Sequence, residues 1–213
     1  MHSPALTLSK EFWKRHRWAL SAVGALVLGF AIGCAIWPPS RTDAMLYSIW
    51  FAMGLCYVIG VFSYGFEAPL ESAESGFPVR FFILPVRTSL LVGSPMAQGM
   101  IVSVGLWVCW EHFVLRPGGV TTPSWWPVML ATIVATGQAI LWFPFGLPWL
   151  RLLVGCLILF SLFRAPVIYD ALAPSLGASP EWLANPDHQN STLTVLAACL
   201  IPVAFLVARV GVS

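Results

Sequence analysis

The feature that most restricts this chain is a series of six long apolar runs, approximately residues 18–37, 45–66, 96–115, 125–143, 147–163 and 192–210. A helix crossing a hydrocarbon core about 30 Å thick needs roughly 20 apolar residues. Backbone in lipid must satisfy its hydrogen bonds internally, and these runs lack the strict alternation of barrel strands. The expected class is an all-α integral membrane protein with about six transmembrane helices, a single transmembrane domain over residues 1–213. Composition agrees, with 58% hydrophobic and 9% charged residues against roughly 25% charged in soluble domains. The net charge of +2 is small and scattered, unlike the clustered basic face of a nucleic-acid binder.

Local punctuation delimits the runs. Trp37-Pro38-Pro39-Ser40 ends the first, Arg116-Pro117-Gly118-Gly119 ends the third, and Phe143-Pro144-Phe145-Gly146-Leu147-Pro148 interrupts the chain between the fourth and fifth. That last break fits a helical hairpin or one long kinked helix. Tryptophans 18, 37, 125, 126, 142 and 149 lie near run ends, where an indole straddles lipid and water. With six spans, Lys10, Lys14, Arg15, Arg17, Arg80, Arg87, Arg151 and Arg209 fall on one side, and Arg41, Arg116 and Arg164 on the other. The excess of cations predicts that both termini are cytoplasmic; a single kinked helix in place of the hairpin would move the carboxy terminus outside.

All five cysteines, Cys34, Cys56, Cys109, Cys156 and Cys199, lie within apolar runs with no Cys-x-x-Cys pair, and read as small buried residues. Ala31-Ile32-Gly33-Cys34 loosely matches a lipoprotein cleavage box, but five further apolar runs favour a first span over a leader.

Three segments outside the spans stand out. In Ser9–Arg17 the residues Lys10, Lys14 and Arg17 share one helical face and Phe12 and His16 the opposite one. This fits a short amphipathic helix lying flat before the first span, or a plain cationic anchor. The second segment is the cytoplasmic loop 67–95. Pro78 suits the first turn of a short helix that Pro85 ends, with Phe77, Phe81 and Leu84 on one face. Such a helix docks into a partner's groove or rests in the interface. The third is the outer loop 164–191, rich in Pro and small residues, which fits short interfacial helices or irregular chain.

Catalytic chemistry has little to draw on. The intramembrane polar candidates are Gln98, Glu111, His112 and Gln138, such groups being costly in lipid and functional candidates by default. Glu111 and His112 are adjacent, about 100° apart on a helix, so they form no ready acid–base pair. Snorkelling or interhelical hydrogen bonding is the plainer role for these groups. No zinc-protease motif, nucleophile elbow, paired aspartates or P-loop occurs. The expectation is that the chain is not an enzyme and binds no metal or cofactor.

The arrangement resembles the permease subunits of ABC-2 type exporters. In the loop after the second span, Glu74, Gly76, Leu84-Pro85-Val86 and Gly93 stand where that family carries an acidic residue, a glycine, a leucine followed by Pro-Val, and a glycine-containing step into the third span. Phe77-Pro78 replaces the family's usual Thr after the glycine, and Ser94 stands where a Lys is frequent. The resemblance implies a cytoplasmic coupling helix that contacts a separate ABC ATPase subunit through Glu71, Glu74, Gly76, Phe77, Arg80, Phe81, Leu84, Pro85 and Arg87. It further implies ATP-Mg in that partner, a second permease copy, and residence in the inner membrane. The competing reading is a non-transporting membrane scaffold or assembly protein.

Overall fold

A computed structural model describes residues 4–63, 87–143, 153–155, 157 and 186–212. Its principal elements are α1 (Pro4–Ile36), α2 (Arg41–Phe62), α3 (Thr88–Trp110), a π-helical turn (Glu111–Leu115), α4 (Trp126–Trp142) and α5 (Pro186–Val212). No strand occurs among the described residues. Four helical segments, His16–Ile36, Arg41–Phe62, Thr88–Leu115 and Asp187–Val212, are long and apolar enough to cross a membrane, whereas α4 has 17 residues, about 26 Å.

The burial pattern is that of a protein whose solvent is lipid. Large apolar side chains such as Leu28, Ile49, Ile101 and Leu206 face outward, while among the described residues the fully enclosed polar side chains are Ser63, Ser103, Thr132 and Gln138. Three cysteines expected to be buried, Cys56, Cys109 and Cys199, are exposed on this outer surface, and only Cys34 is enclosed among those described. A thiol behaves as a small hydrophobe, so a lipid-facing position satisfies it as well as a core position does.

Two apolar clusters divide the bundle along its length. One gathers Val23, Val58, Val92, Ala139 and Ala208, the other Cys34, Ala44, Trp110, Met129 and Leu193. Tracing each helix between the clusters shows that α1 and α2 are antiparallel, as are α2 and α3 and then α3 and α4. By contrast, α4 and α5 run in the same direction: Thr132 meets Ala197 and, further on, Phe143 meets Gly211. α1 therefore starts, and α5 finishes, at the same end of the bundle. The central α4 packs chiefly on α5 and α3 and is enclosed almost continuously from Met129 to Ala135.

Several helix limits differ from those expected. α1 runs unbroken for 33 residues, about 50 Å, so no break in the helix separates an amphipathic entry helix from the first span. α2 begins at Arg41, fixed by a capping box in which the Ser40 hydroxyl accepts from Asp43 N–H at 3.2 Å and the Asp43 carboxylate accepts from Ser40 N–H at 3.2 Å. α3 begins at Thr88, so residues 88–95, expected in the loop, are helical and Pro95 lies inside the helix. Burial explains this: Leu91, Val92, Pro95 and Met96 are enclosed by neighbouring helices, which compensates for the backbone bond that Pro95 cannot donate. α5 likewise starts at Pro186, before Thr192, with Asp187 in its first turn, where a proline and an anion both suit a helix start.

Candidate functional site

The interior polar groups collect on the contact between α3 and α4. Gln138 is completely buried, and its amide nitrogen donates to the Pro95 carbonyl at 3.4 Å. Gly99 makes this possible, because a Cβ there would stand 3.0 Å from Gln138 Nε2, 3.1 Å from Val134 and 3.2 Å from Phe62. Six residues earlier on α4, Thr132 has its hydroxyl 2.9 Å from both Val128 O and Ala197 O, joining α4 to α5. Trp142 Nε1 donates to Ser63 O at 2.9 Å, which ties the end of α4 to the end of α2.

A second group is aromatic. Trp107 touches Phe51 at 5.3 Å between centroids and stacks on Trp126 at 5.3 Å, while Trp110 meets Phe30 at 5.1 Å and Phe51 at 5.4 Å. Ser103, Trp107 and Trp110 succeed one another at four and then three residues, so they occupy one face of α3. Their Oγ and two Nε1 atoms, and Gln138 Oε1, are buried with no hydrogen-bond partner among the described residues, at about 1–3 kcal/mol each. These uncharged donors and acceptors carry no nucleophile–base pair. Among the described residues, no group of His, Cys, Asp and Glu could hold a metal ion.

The α3 helix widens at its end. Arg116 N–H bonds back to Glu111 O at 2.9 Å, five residues away, and such π-turns are often found at functional positions. Here the turn directs Glu111 toward Arg116, at 3.4 Å, with the Arg116 side chain 65% exposed, a pair of little energetic weight. His112 is exposed and its ring lies edge-on to Phe113 at 4.9 Å. The polar candidates from the sequence are thus not brought together: Glu111 and His112 sit at one end, and Gln98, which donates to Ser94 at 3.3 Å, sits with Gln138 towards the other.

Of the expected partner-binding residues, Arg87 is exposed and precedes the first turn of α3. Glu71, Glu74, Gly76, Phe77, Arg80, Phe81, Leu84 and Pro85 lie outside the described residues. Tryptophan placement is mixed. Trp18 and Trp37 are 76% and 80% exposed, as an interfacial belt requires, but Trp125 and Trp142 are buried because their rings join the aromatic cluster and the Ser63 bond. Trp107 and Trp110 have no signal in the sequence beyond lying mid-run.

Removing the Thr132 hydroxyl is expected to have a modest effect. Interhelical hydrogen bonds in membranes average about 0.6 kcal/mol and reach about 1.7, and the Thr132 proton is divided between two carbonyls. Thr132→Val should destabilise the detergent-solubilised chain by about 0.5–1.5 kcal/mol in a thermal melt; a larger loss would mean that the Ala197 carbonyl has no other partner.

The fold and this interior define a multi-pass helical membrane protein. Comparison with protein-family models, curated proteins and solved structures finds no match to the chain.

Proposed function

We propose that this chain is the transmembrane permease subunit of an ATP-driven exporter, with six spans and both termini in the cytoplasm. The observation that carries the proposal is the placement of the connection between α2 and α3. Its two ends, Ser63 and Arg87, emerge at the end of the bundle where α1 begins, the end whose helix carries Lys10, Lys14 and Arg17, and a concentration of cations marks the cytoplasmic face. The connection's own sequence is the part that resembles the exporter family, through Glu74, Gly76 and Leu84-Pro85-Val86. A push on it acts on α2 and α3 together, and α3 transmits the movement to α4 through the Gln138–Pro95 contact. The chain borrows its energy from a separate ATPase bound through Phe77, Phe81 and Leu84, and works with a second permease copy.

The parallel run of α4 and α5 supports the count of six. Residues 144–185 must bring the chain back along the bundle, which calls for an odd number of crossings between α4 and α5. One crossing at residues 147–163 meets that requirement, and a single kinked helix does not.

A membrane scaffold is the second reading, and the unbroken α1 favours it, since among the described residues no separate amphipathic entry helix precedes the first span. Crosslinking from Phe81→Cys, in a chain otherwise freed of cysteine, separates the two. Capture in native membranes of a protein identified by mass as a P-loop ATPase is the expected result. Recovery of other membrane proteins alone transfers the assignment to the scaffold.

A further inference from the structure

We infer that the exposed basic face at the start of α1 is a binding site for the phosphate headgroups of anionic phospholipids. Lys10, Lys14 and Arg17 follow at intervals of four and three residues, so they lie on one side of the helix, and all are exposed. Because α1 continues unbroken from these residues into its apolar segment, the three cations follow that segment in helical register. The apolar segment of α1 starts at His16. At 1.5 Å per residue, Arg17 stands at that boundary, Lys14 about 3 Å beyond it and Lys10 about 9 Å beyond it. The polar headgroup layer is roughly 5–7 Å deep on each side of the bilayer, so the three cations span it from its acyl edge to its water edge.

Two further observations select lipid as the occupant. Trp13 and Trp18 flank the basic face, 42% and 76% exposed, and exposed indoles at a helix end favour the headgroup level. The Arg17 guanidinium lies over the Trp18 ring at 5.4 Å, which fixes its height against an interfacial side chain. Charge is also unevenly divided. By position in the sequence, the helix ends on this side carry Lys10, Lys14, Arg15, Arg17, Arg87 and Arg209 against Glu11, a formal +5, and those on the other side Arg41 and Arg116 against Asp43, Glu111 and Asp187, a formal −1. Counting Glu67, Glu71, Glu74 and Arg80 from the connecting sequence lowers the first value to +3 and keeps its sign.

The site is independent of the exporter proposal. It is tested with the full chain in nanodiscs containing equal phosphatidylglycerol and phosphatidylcholine, by measuring with native mass spectrometry the lipids that remain bound after release from the disc. Each cation near an anionic surface is worth roughly a five-fold preference, so the wild-type chain should retain phosphatidylglycerol over phosphatidylcholine by about ten-fold or more. K10Q/K14Q/R17Q should fall to within about two-fold of the bulk ratio, K10R/K14R should keep the preference, and R41Q at the opposite end should not change it. Equal retention of the two lipids by the wild-type chain overturns the inference, as does an undiminished preference in the triple variant. Should the triple variant fail to fold, the wild-type ratio and its loss at high salt decide the matter alone.

Discussion

Replacing Gly99 by alanine is expected to lower the thermal midpoint of the solubilised chain by about 3–10 °C, while the same replacement at Gly105, on the same helix, leaves it unchanged or raises it. A methyl group at Gly99 meets Gln138 Nε2 at 3.0 Å, Val134 Cγ1 at 3.1 Å and Phe62 Cβ at 3.2 Å. The first belongs to a long side chain and can retreat. The others are short and anchored to α4 and α2, so accommodating the methyl separates helices, and overpacking of this kind costs about 1–3 kcal/mol. At Gly105 a Cβ meets nothing within 4 Å, and there alanine's better helix propensity, worth up to about 1 kcal/mol, is the only term. Adding Gln138→Ala to Gly99→Ala should recover part of the loss and not all of it. Full recovery would show that Gln138 alone sets the contact, and no loss in the single variant would mean that α3 does not approach α4 this closely.

The same glycine illustrates what the sequence conveys and what it withholds. Lipid imposes a length and a composition on a spanning helix, so α1, α2, α3 and α5 are legible as apolar runs without any knowledge of their neighbours. The starts of α3 and α5 are less legible, because Gly93-Ser94-Pro95 and the polar stretch from Pro186 to Ser191 read locally as breaks. Enclosure overrides the first of these: Val92 is fully buried, and a Cβ at Gly93 would touch Phe205 at 3.3 Å. The interior site is less legible still. Gln138 meets Pro95, 43 residues away, and Trp142 meets Ser63, 79 residues away, and no local period encodes a pairing over that distance. Trp142 shows the ambiguity plainly, since an indole near the end of an apolar run suits the lipid boundary and a buried carbonyl equally well. The cap at Ser40, by contrast, was available in the spacing of Ser40 and Asp43, which marks the start of α2 ahead of its apolar run.

Direction of travel along the bundle yields the other large expected effect, an all-or-none labelling pattern. Single cysteines replacing Lys14, Arg87 and Arg209, in a chain with the five native cysteines removed, are expected to react as one set with a membrane-impermeant maleimide, and a cysteine replacing Arg41 as the opposite set. All four positions are exposed, so accessibility depends on the side of the membrane and not on burial. The set containing Lys14 should be protected in intact cells and labelled after permeabilisation, because cations in short loops and flanks are retained on the cytoplasmic side. Arg209 is the decisive position. If residues 142–187 returned the chain without crossing, α5 would have to run against α4, and a cysteine at 209 would react together with the one at 41. That pairing would contradict the contacts of Thr132 with Ala197 and of Phe143 with Gly211, which hold only when the two helices point the same way. It would also move the carboxy terminus to the outer side and make the number of spans odd, against the six proposed above, while leaving the connection between α2 and α3 on the amino-terminal side.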